Sequence, residues 1–452
     1  MKITNPTTNT LIKEIDEDNT STVIQKYNTL KSNKSNFKKS TLEERINIIK
    51  NFSKLLNENI DRLAQILTSE MGKPLQESKN EINGAIYRIE YFIHNSMEWL
   101  TDKEVFDDGN TKEILTYQPL GVVLNISAWN YPYLVGMNVI IPAIIGGNCV
   151  IYKPSEHSSL TGIEITKLLY LSGLSKDYFQ CVIGGGNIGK ELLKLKFDGV
   201  FFTGSYNTGK SIYESATKEF IPIGLELGGK DPCYVTSSID DIRSVSESVC
   251  EGAFYNNGQS CCSVERIYVH QDIYDDFIAN VKLIIGNYKI GNPKEDVNCG
   301  AITRADHINF LNSQKQDALD KGAKILIENK NIPSVGNFFS PTVLIDVNHN
   351  MNLMKDETFG PLIGIQKVKD DQEAIQLMND SEFGLTASVF SNDKKRAKTI
   401  LDNLEAGNVY INCCDRVSPY LPWAGQRNSG IGQTLSFNGI LGFVRPKSFH
   451  IR

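Results

Sequence analysis

Histidine is scarce in this chain, and the six that occur, at 94, 157, 270, 307, 349 and 450, form no pair at metal-ligand spacing. Nine cysteines (149, 181, 233, 250, 261, 262, 299, 413 and 414) make an odd set without a C-x-x-C. Neither a zinc site nor a disulfide scaffold is expected from such a pattern. No long apolar run exists either. The most apolar stretch, residues 139–152, is broken by Pro142, Gly146, Gly147 and Asn148, and the first residues, MKITNPTTNT, have no apolar h-region. A membrane span and a secretion signal are therefore not expected. The expectation is a cytoplasmic protein, in a compartment that keeps thiols reduced. A basic excess is also missing, with 47 Lys and Arg against 53 Asp and Glu. No nucleic-acid or anionic-membrane partner is expected, and the lysine-rich run at residues 31–39 reads as solvated surface. Repeats, low-complexity segments and long linkers are absent.

What is present suits a large α/β protein. At 452 residues the chain is long enough for roughly two or three domains. Over residues 41–71, Ile46, Ile49, Phe52, Leu55, Leu56, Leu63, Ile66 and Leu67 recur at helical spacing, with Thr41 as N-cap and Gly72-Lys73-Pro74 as a stop. Ile82, Ile86, Ile89, Phe92 and Ile93 continue the helical pattern. Residues 106–119, around Asp107-Asp108-Gly109, suit a hairpin. From Gly121 strand and helix patterns alternate, and a second alternation starts after Gly229, which implies parallel sheets covered by helices. Gly184-Gly185-Gly186 is a weak signal, since a lone glycine cluster after a strand also suits a simple turn. Gly204 and Ser205 fall between a strand and a helix whose amino end could face a pyrophosphate.

Three segments carry chemistry. FYNNGQSC ends a helical pattern in an amide-rich turn and presents Cys261; LELGGK carries Glu226; AWNYP carries Asn130. A thiol, a carboxylate and a side-chain amide are the nucleophile, base and oxyanion donor that acyl transfer requires. These segments, at these separations, resemble the signature segments of the NAD(P)-dependent aldehyde dehydrogenases, and the match runs from Asn5-Pro6-Thr7 to Pro422-Trp423-Ala424-Gly425.

The resemblance implies a Rossmann-like cofactor domain (residues 1–98 and 118–226), an α/β catalytic domain (227–436) and a small β oligomerisation element (99–117 and 437–452). It implies that Cys261 attacks the aldehyde carbon, that Asn130 and the Cys261 N–H hold the oxyanion, and that Glu226 activates the water that releases the acid. Coenzyme A acylating relatives lack a glutamate at this position, so hydrolysis is expected. Cys262 is expected to be a packed neighbour. Lys153 and Glu156 match the residues that bind the adenine-side ribose, where a carboxylate favours NAD over NADP without excluding the latter. Trp129 and Ser205 match positions at the pyrophosphate, and Glu357 and Phe359 match those at the nicotinamide ribose and ring.

Tyr131, Asn138, Tyr255 and Trp423 fall where the family lines its aldehyde tunnel. Succinic semialdehyde dehydrogenases place arginines at the positions of Asn138 and Tyr255, and betaine aldehyde enzymes a tryptophan at Asn138. The expectation is a neutral aliphatic or aromatic aldehyde, with succinate semialdehyde the alternative if Arg416 or Arg266 reaches the tunnel. Many relatives have a proton-relaying lysine where this chain has Val139. A homodimer or homotetramer is implied, with the strand pattern near residues 443–452 as a candidate edge. A cofactor-independent thiol hydrolase would need a histidine beside Cys261, and a non-catalytic binding protein would leave Cys261, Glu226 and Asn130 unexplained.

Overall fold

The computed structural model describes residues 1–329 and 331–452. Thr41 caps its helix as the pattern predicts. Its hydroxyl accepts the Glu44 N–H at 3.1 Å while the Glu44 carboxylate accepts the Thr41 N–H at 2.7 Å. The helical stretch divides at Asn59 into Leu42–Glu58 and Ile60–Met71, and a long helix, Leu75–Leu100, follows. These helices bury one face each against the first of two large sheets.

That first sheet has strand order Gly430–Ile431, Ile223–Glu226, Gly199–Thr203, Val122–Ile126, Cys149–Lys153, Phe179–Cys181. All pair in parallel except the edge strand Gly430–Ile431, which runs antiparallel to Ile223–Glu226. The chain enters at Val122–Ile126, builds outward on one side, then returns to the other, which creates a switch point between Val122–Ile126 and Gly199–Thr203. Crevices at the carboxyl ends of such strands bind ligands.

The second sheet has seven strands, in the order Lys324–Glu328, Thr342–Ile345, Leu362–Val368, Arg266–His270, Pro232–Val235, Thr386–Phe390, Asn408–Ile411. It is parallel apart from its antiparallel edge strand Lys324–Glu328. The expected hairpin forms between Lys103–Asp107 and Lys112–Pro119, and Val444–Ile451 adds to it as a third strand in continuous register. The segment before that strand returns to the first sheet. Gly430–Ile431 extends it, and Leu435, Ile440 and Phe443 enter its core. Among the described residues no helix is long and apolar enough to cross a membrane.

Candidate active site

The two large sheets meet with unlike ends. Asn130, Lys153, Glu156, Gly204, Ser205 and Glu226 lie at or just beyond the carboxyl ends of first-sheet strands. Cys261 comes just before the second-sheet strand Arg266–His270, and Glu357 and Phe359 just before Leu362–Val368. Residues more than a hundred positions apart are thereby brought to one cleft.

The Cys261 turn is built from an unusual backbone. After helix Ile242–Phe254, Asn256, Asn257 and Gly258 take successive left-handed conformations with φ of 52°, 56° and 67°. Asparagine tolerates this region better than most residues. At position 258 only glycine fits, because a Cβ would stand 2.5 Å from the Gly360 carbonyl oxygen. Side chains then fix the turn. The Asn256 N–H donates to Glu77 at 2.9 Å, Asn257 Nδ2 donates to the Ala301 carbonyl at 3.0 Å, and Gln259 Oε1 accepts the Thr303 N–H at 3.0 Å. Asn130 Nδ2 donates to the Gln259 carbonyl at 3.1 Å, which ties the two loops together and leaves its second N–H without a partner among the described residues. The Cys261 backbone N–H donates to no protein group among the described residues.

Cys261 is half-buried and lines a cavity of about 380 Å³ with Glu226, Tyr131, Asn138, Tyr255 and Trp423. All four expected tunnel residues are thus on the wall of the cavity that holds the thiol and the carboxylate. Cys262 is buried, and its thiol donates to Asp415 at 3.0 Å. Its contact with the Cys261 thiol, burial, and the Asp415 charge push its pKa well above the ordinary thiol value. Cys262 is therefore held protonated, unlike a nucleophile.

Glu226 ends its strand with the carboxylate among donors. It accepts the Thr434 hydroxyl, and the Asn138 amide and Thr203 hydroxyl also favour its charged form. Burial raises its pKa above the usual carboxylate range, while these donors and the nearby Arg88 charge oppose the rise. A raised carboxylate pKa suits a general base working near neutrality.

Buried charges that the sequence patterns did not single out position the loops. Lys73 has a fully buried ammonium that donates to Glu81 at 2.6 Å and to the Asn130 carbonyl at 2.7 Å, and sits 4.1 Å from the Tyr131 ring centre. Lys230 donates to Glu265 at 2.8 Å and Thr358 Oγ1 at 2.7 Å, and Glu265 accepts the Thr358 and Phe359 N–H groups, each at 2.8 Å. This arrangement fixes the loop that carries Glu357 and Phe359. Glu357 lies against Gly228, where a Cβ would meet its carboxylate at 1.8 Å, and burial pushes its pKa up to about 8. The Trp129 ring stands edge-on to both Phe359, at 5.5 Å, and His157, at 6.2 Å.

Arg88 is also on the cavity wall, buried and 2.9 Å from Asn138 Oδ1. Its signal in the sequence is positional. It falls on the inward stripe of helix Leu75–Leu100 beside Ala85, Ile89 and Phe92, where a charge is out of place. Of the two arginines expected as candidates, Arg416 lines the cavity, whereas Arg266 does not. The Arg266 guanidinium is consumed by the carbonyls of Lys230, Leu377 and Met378 at 2.8–3.1 Å on the far side of the second sheet. Val139 packs in the first core.

Several of the remaining expected residues keep polar groups free at the carboxyl ends of first-sheet strands. Lys153 is buried, and its ammonium reaches only the Pro154 carbonyl at 3.3 Å and Glu156 at 4.0 Å, so donors remain free. Ser205 begins helix Tyr206–Ala216 without capping it, its hydroxyl turned instead to Thr208. The first-turn N–H groups beyond Gly204 stay available to an anion.

The family model described as the aldehyde dehydrogenase family matches residues 1–449. A 4,4'-diapolycopene aldehyde oxidase of Methylomonas is 35% identical over 413 residues, covering 90% of this chain and 77% of that protein. An NADP(+) succinate-semialdehyde dehydrogenase of Escherichia coli K12 is 32% identical over 410 residues, covering 90% of this chain and 85% of its own. Among solved structures, betaine aldehyde dehydrogenase from Staphylococcus aureus in complex with NAD+ superposes with a TM-score of 0.95 at 29% identity, over 100% of this chain and 91% of that one.

Proposed function

The chain belongs to the aldehyde dehydrogenase family, and from that premise we propose that it oxidises an aldehyde to its carboxylic acid, with NAD or NADP as hydride acceptor and water as the second reactant. The observation that carries this reading is the shared cavity of Cys261 and Glu226. In it the Cys261 thiolate adds to the aldehyde carbon. The oxygen of the resulting thiohemiacetal is met by the free Cys261 N–H and by the uncommitted N–H of Asn130 Nδ2. A donor pair of this kind is worth about 3 kcal/mol per donor where charge develops. The nicotinamide, when bound, supplies the two-electron acceptor that turns the thiohemiacetal into a thioester. Glu226 then takes a proton from water as its oxygen attacks the thioester carbonyl, and the Cys261 sulfur leaves as thiolate.

Lys153 and Glu156 would hold the adenine-side ribose, Trp129, Gly204 and Ser205 the pyrophosphate, and Glu357 and Phe359 the nicotinamide end. The exposed part of Glu156 supports a preference for NAD, because its charge would oppose a 2′-phosphate. Glu226 on the cavity wall supports hydrolysis over transfer to coenzyme A. The three-stranded sheet with an open edge at Val444–Ile451 supports association of identical chains as a dimer or tetramer.

Stopped-flow absorbance of the reduced cofactor tests the roles. Cys261→Ala should abolish aldehyde-dependent reduction. Glu226→Gln should keep a first-turnover burst while slowing steady-state turnover by about 100-fold. Turnover that survives in Cys261→Ala would remove the thiol from the mechanism.

A further inference from the structure

Among the described residues two buried cations keep unmatched donors, Lys153 on the expected dinucleotide side and Arg88 beside the Cys261 cavity, while the others are satisfied. Lys73 has Glu81, a carbonyl and an aromatic face; Lys230 has Glu265 and a hydroxyl; Arg266 has carbonyls along both edges of its guanidinium. Arg88 is 7% exposed and makes a single hydrogen bond among the described residues, from Nη1 to Asn138 Oδ1. Among the described residues no carboxylate lies within ion-pair distance of it, and the largest charge acting on it is that of Glu226. A guanidinium carries five N–H donors, and leaving most of them unmatched in a desolvated site is costly. Arg88 lines the cavity that contains Cys261.

The acids around that cavity have hydrogen-bond partners other than Arg88. Glu226 accepts the Thr434 hydroxyl and shares the field of Arg88; Glu81 accepts Lys73 and the Tyr133 N–H; Asp415 accepts the Cys262 thiol. Glu77 accepts the Asn256 N–H, and burial pushes its pKa up to about 8, so near neutrality it is largely uncharged. Glu251 and Arg416 also line the wall.

Resting on the aldehyde-oxidising reading above, we propose that Arg88 is the anion anchor of the substrate cavity, and that the aldehyde taken by this protein is a short one bearing a carboxylate at its other end. The Asn138 amide sets the anchor by holding one edge of the guanidinium, and the substrate carboxylate takes N–H groups that have no protein partner. Tyr131, Tyr255 and Trp423 pack around the short carbon chain between the anchor and Cys261. A buried charge-assisted contact of this kind discriminates strongly, because the analogue lacking the carboxylate leaves the cation unpaired.

The test compares kcat/KM for succinic and glutaric semialdehyde with butanal and pentanal in the wild type, Arg88→Met and Arg88→Lys. The wild type should favour the acidic aldehydes. Arg88→Met should lower kcat/KM for them by about 30-fold or more relative to the neutral ones, chiefly through KM. Arg88→Lys should recover part of the preference. Calorimetric binding of glutarate to Cys261→Ala, weakened when Arg88→Met is added, gives a readout that needs no turnover. Equal losses on acidic and neutral aldehydes, carried by kcat, would overturn the anchor and leave Arg88 as a positioning residue for Asn138 and Glu226. Glutarate bound through Arg88 by a protein that oxidises no aldehyde would remove the reaction and keep the anchor. Aldehyde oxidation indifferent to Arg88 would do the reverse.

Discussion

At Glu226 opposing effects act on one proton. Burial disfavours the carboxylate, while the Thr434 hydroxyl, the Arg88 charge and the Asn138 and Thr203 donors favour it, and burial prevails. A general base works only when deprotonated, so activity should fall as pH drops through the raised pKa. Thr434→Val removes a donor to the charged form and raises that pKa further. The acidic limb of the kcat profile should move to higher pH by roughly one unit, since a hydrogen bond to a charged group is worth about 1.5–3 kcal/mol. An unmoved limb would show that Glu226 is not the group titrating. In the proposed reading Glu156 acts on the cofactor instead. Lying 4.0 Å from the buried Lys153 ammonium and 40% exposed in its side chain, it can repel a 2′-phosphate through partly screened charge. Glu156→Ser should raise the NADP to NAD ratio of kcat/KM by about tenfold, and an unchanged ratio would place that ribose elsewhere.

Between elements, the buried ion pair of Lys73 and Glu81 joins the start of helix Leu75–Leu100 to the loop of Asn130. Lys73→Met would leave Glu81 desolvated without a counter-charge, which costs about 3–5 kcal/mol. Lys73→Met with Glu81→Leu should recover part of that loss in denaturant melts, the Tyr133 N–H remaining without its acceptor. A double variant no more stable than the single one would assign the loss to the Asn130 carbonyl instead. Sequence patterns could read the elements here, because a cap such as Thr41 or a turn such as Asp107-Asp108-Gly109 acts over a few residues. The Cys261 turn was legible for the same reason. What the patterns could not read is where a charge becomes buried. Lys73 looks like part of a helix stop, and its contact with Asn130 spans 57 residues. Arg266 looks like a free cation until the carbonyls at Leu377 and Met378, more than a hundred residues on, close around it. Arg88 sat in plain view on an apolar stripe, but only the fold shows that the stripe ends at the cavity of Cys261.

At the scale of the molecule, the meeting of carboxyl-end loops from one sheet with amino-end loops from the other helps bring residues from 77 to 423 to one cavity. The same architecture leaves an edge open. Val444–Ile451 pairs with Lys112–Pro119 on one side only, and Phe449 and Ile451 are 39% and 47% exposed. Pro446 within that strand is tolerated because edge strands can spare an N–H. An eight-residue edge with exposed apolar side chains invites pairing unless another chain covers it. Light scattering should therefore give the wild type a mass of two or four chains, in line with closed symmetric assemblies. Phe449→Asp with Ile451→Asp, which places charge on that edge far from Cys261, should shift the mass toward a single chain. A wild type that is already monomeric, or a double variant that keeps its full assembly mass, would move the interface away from this sheet.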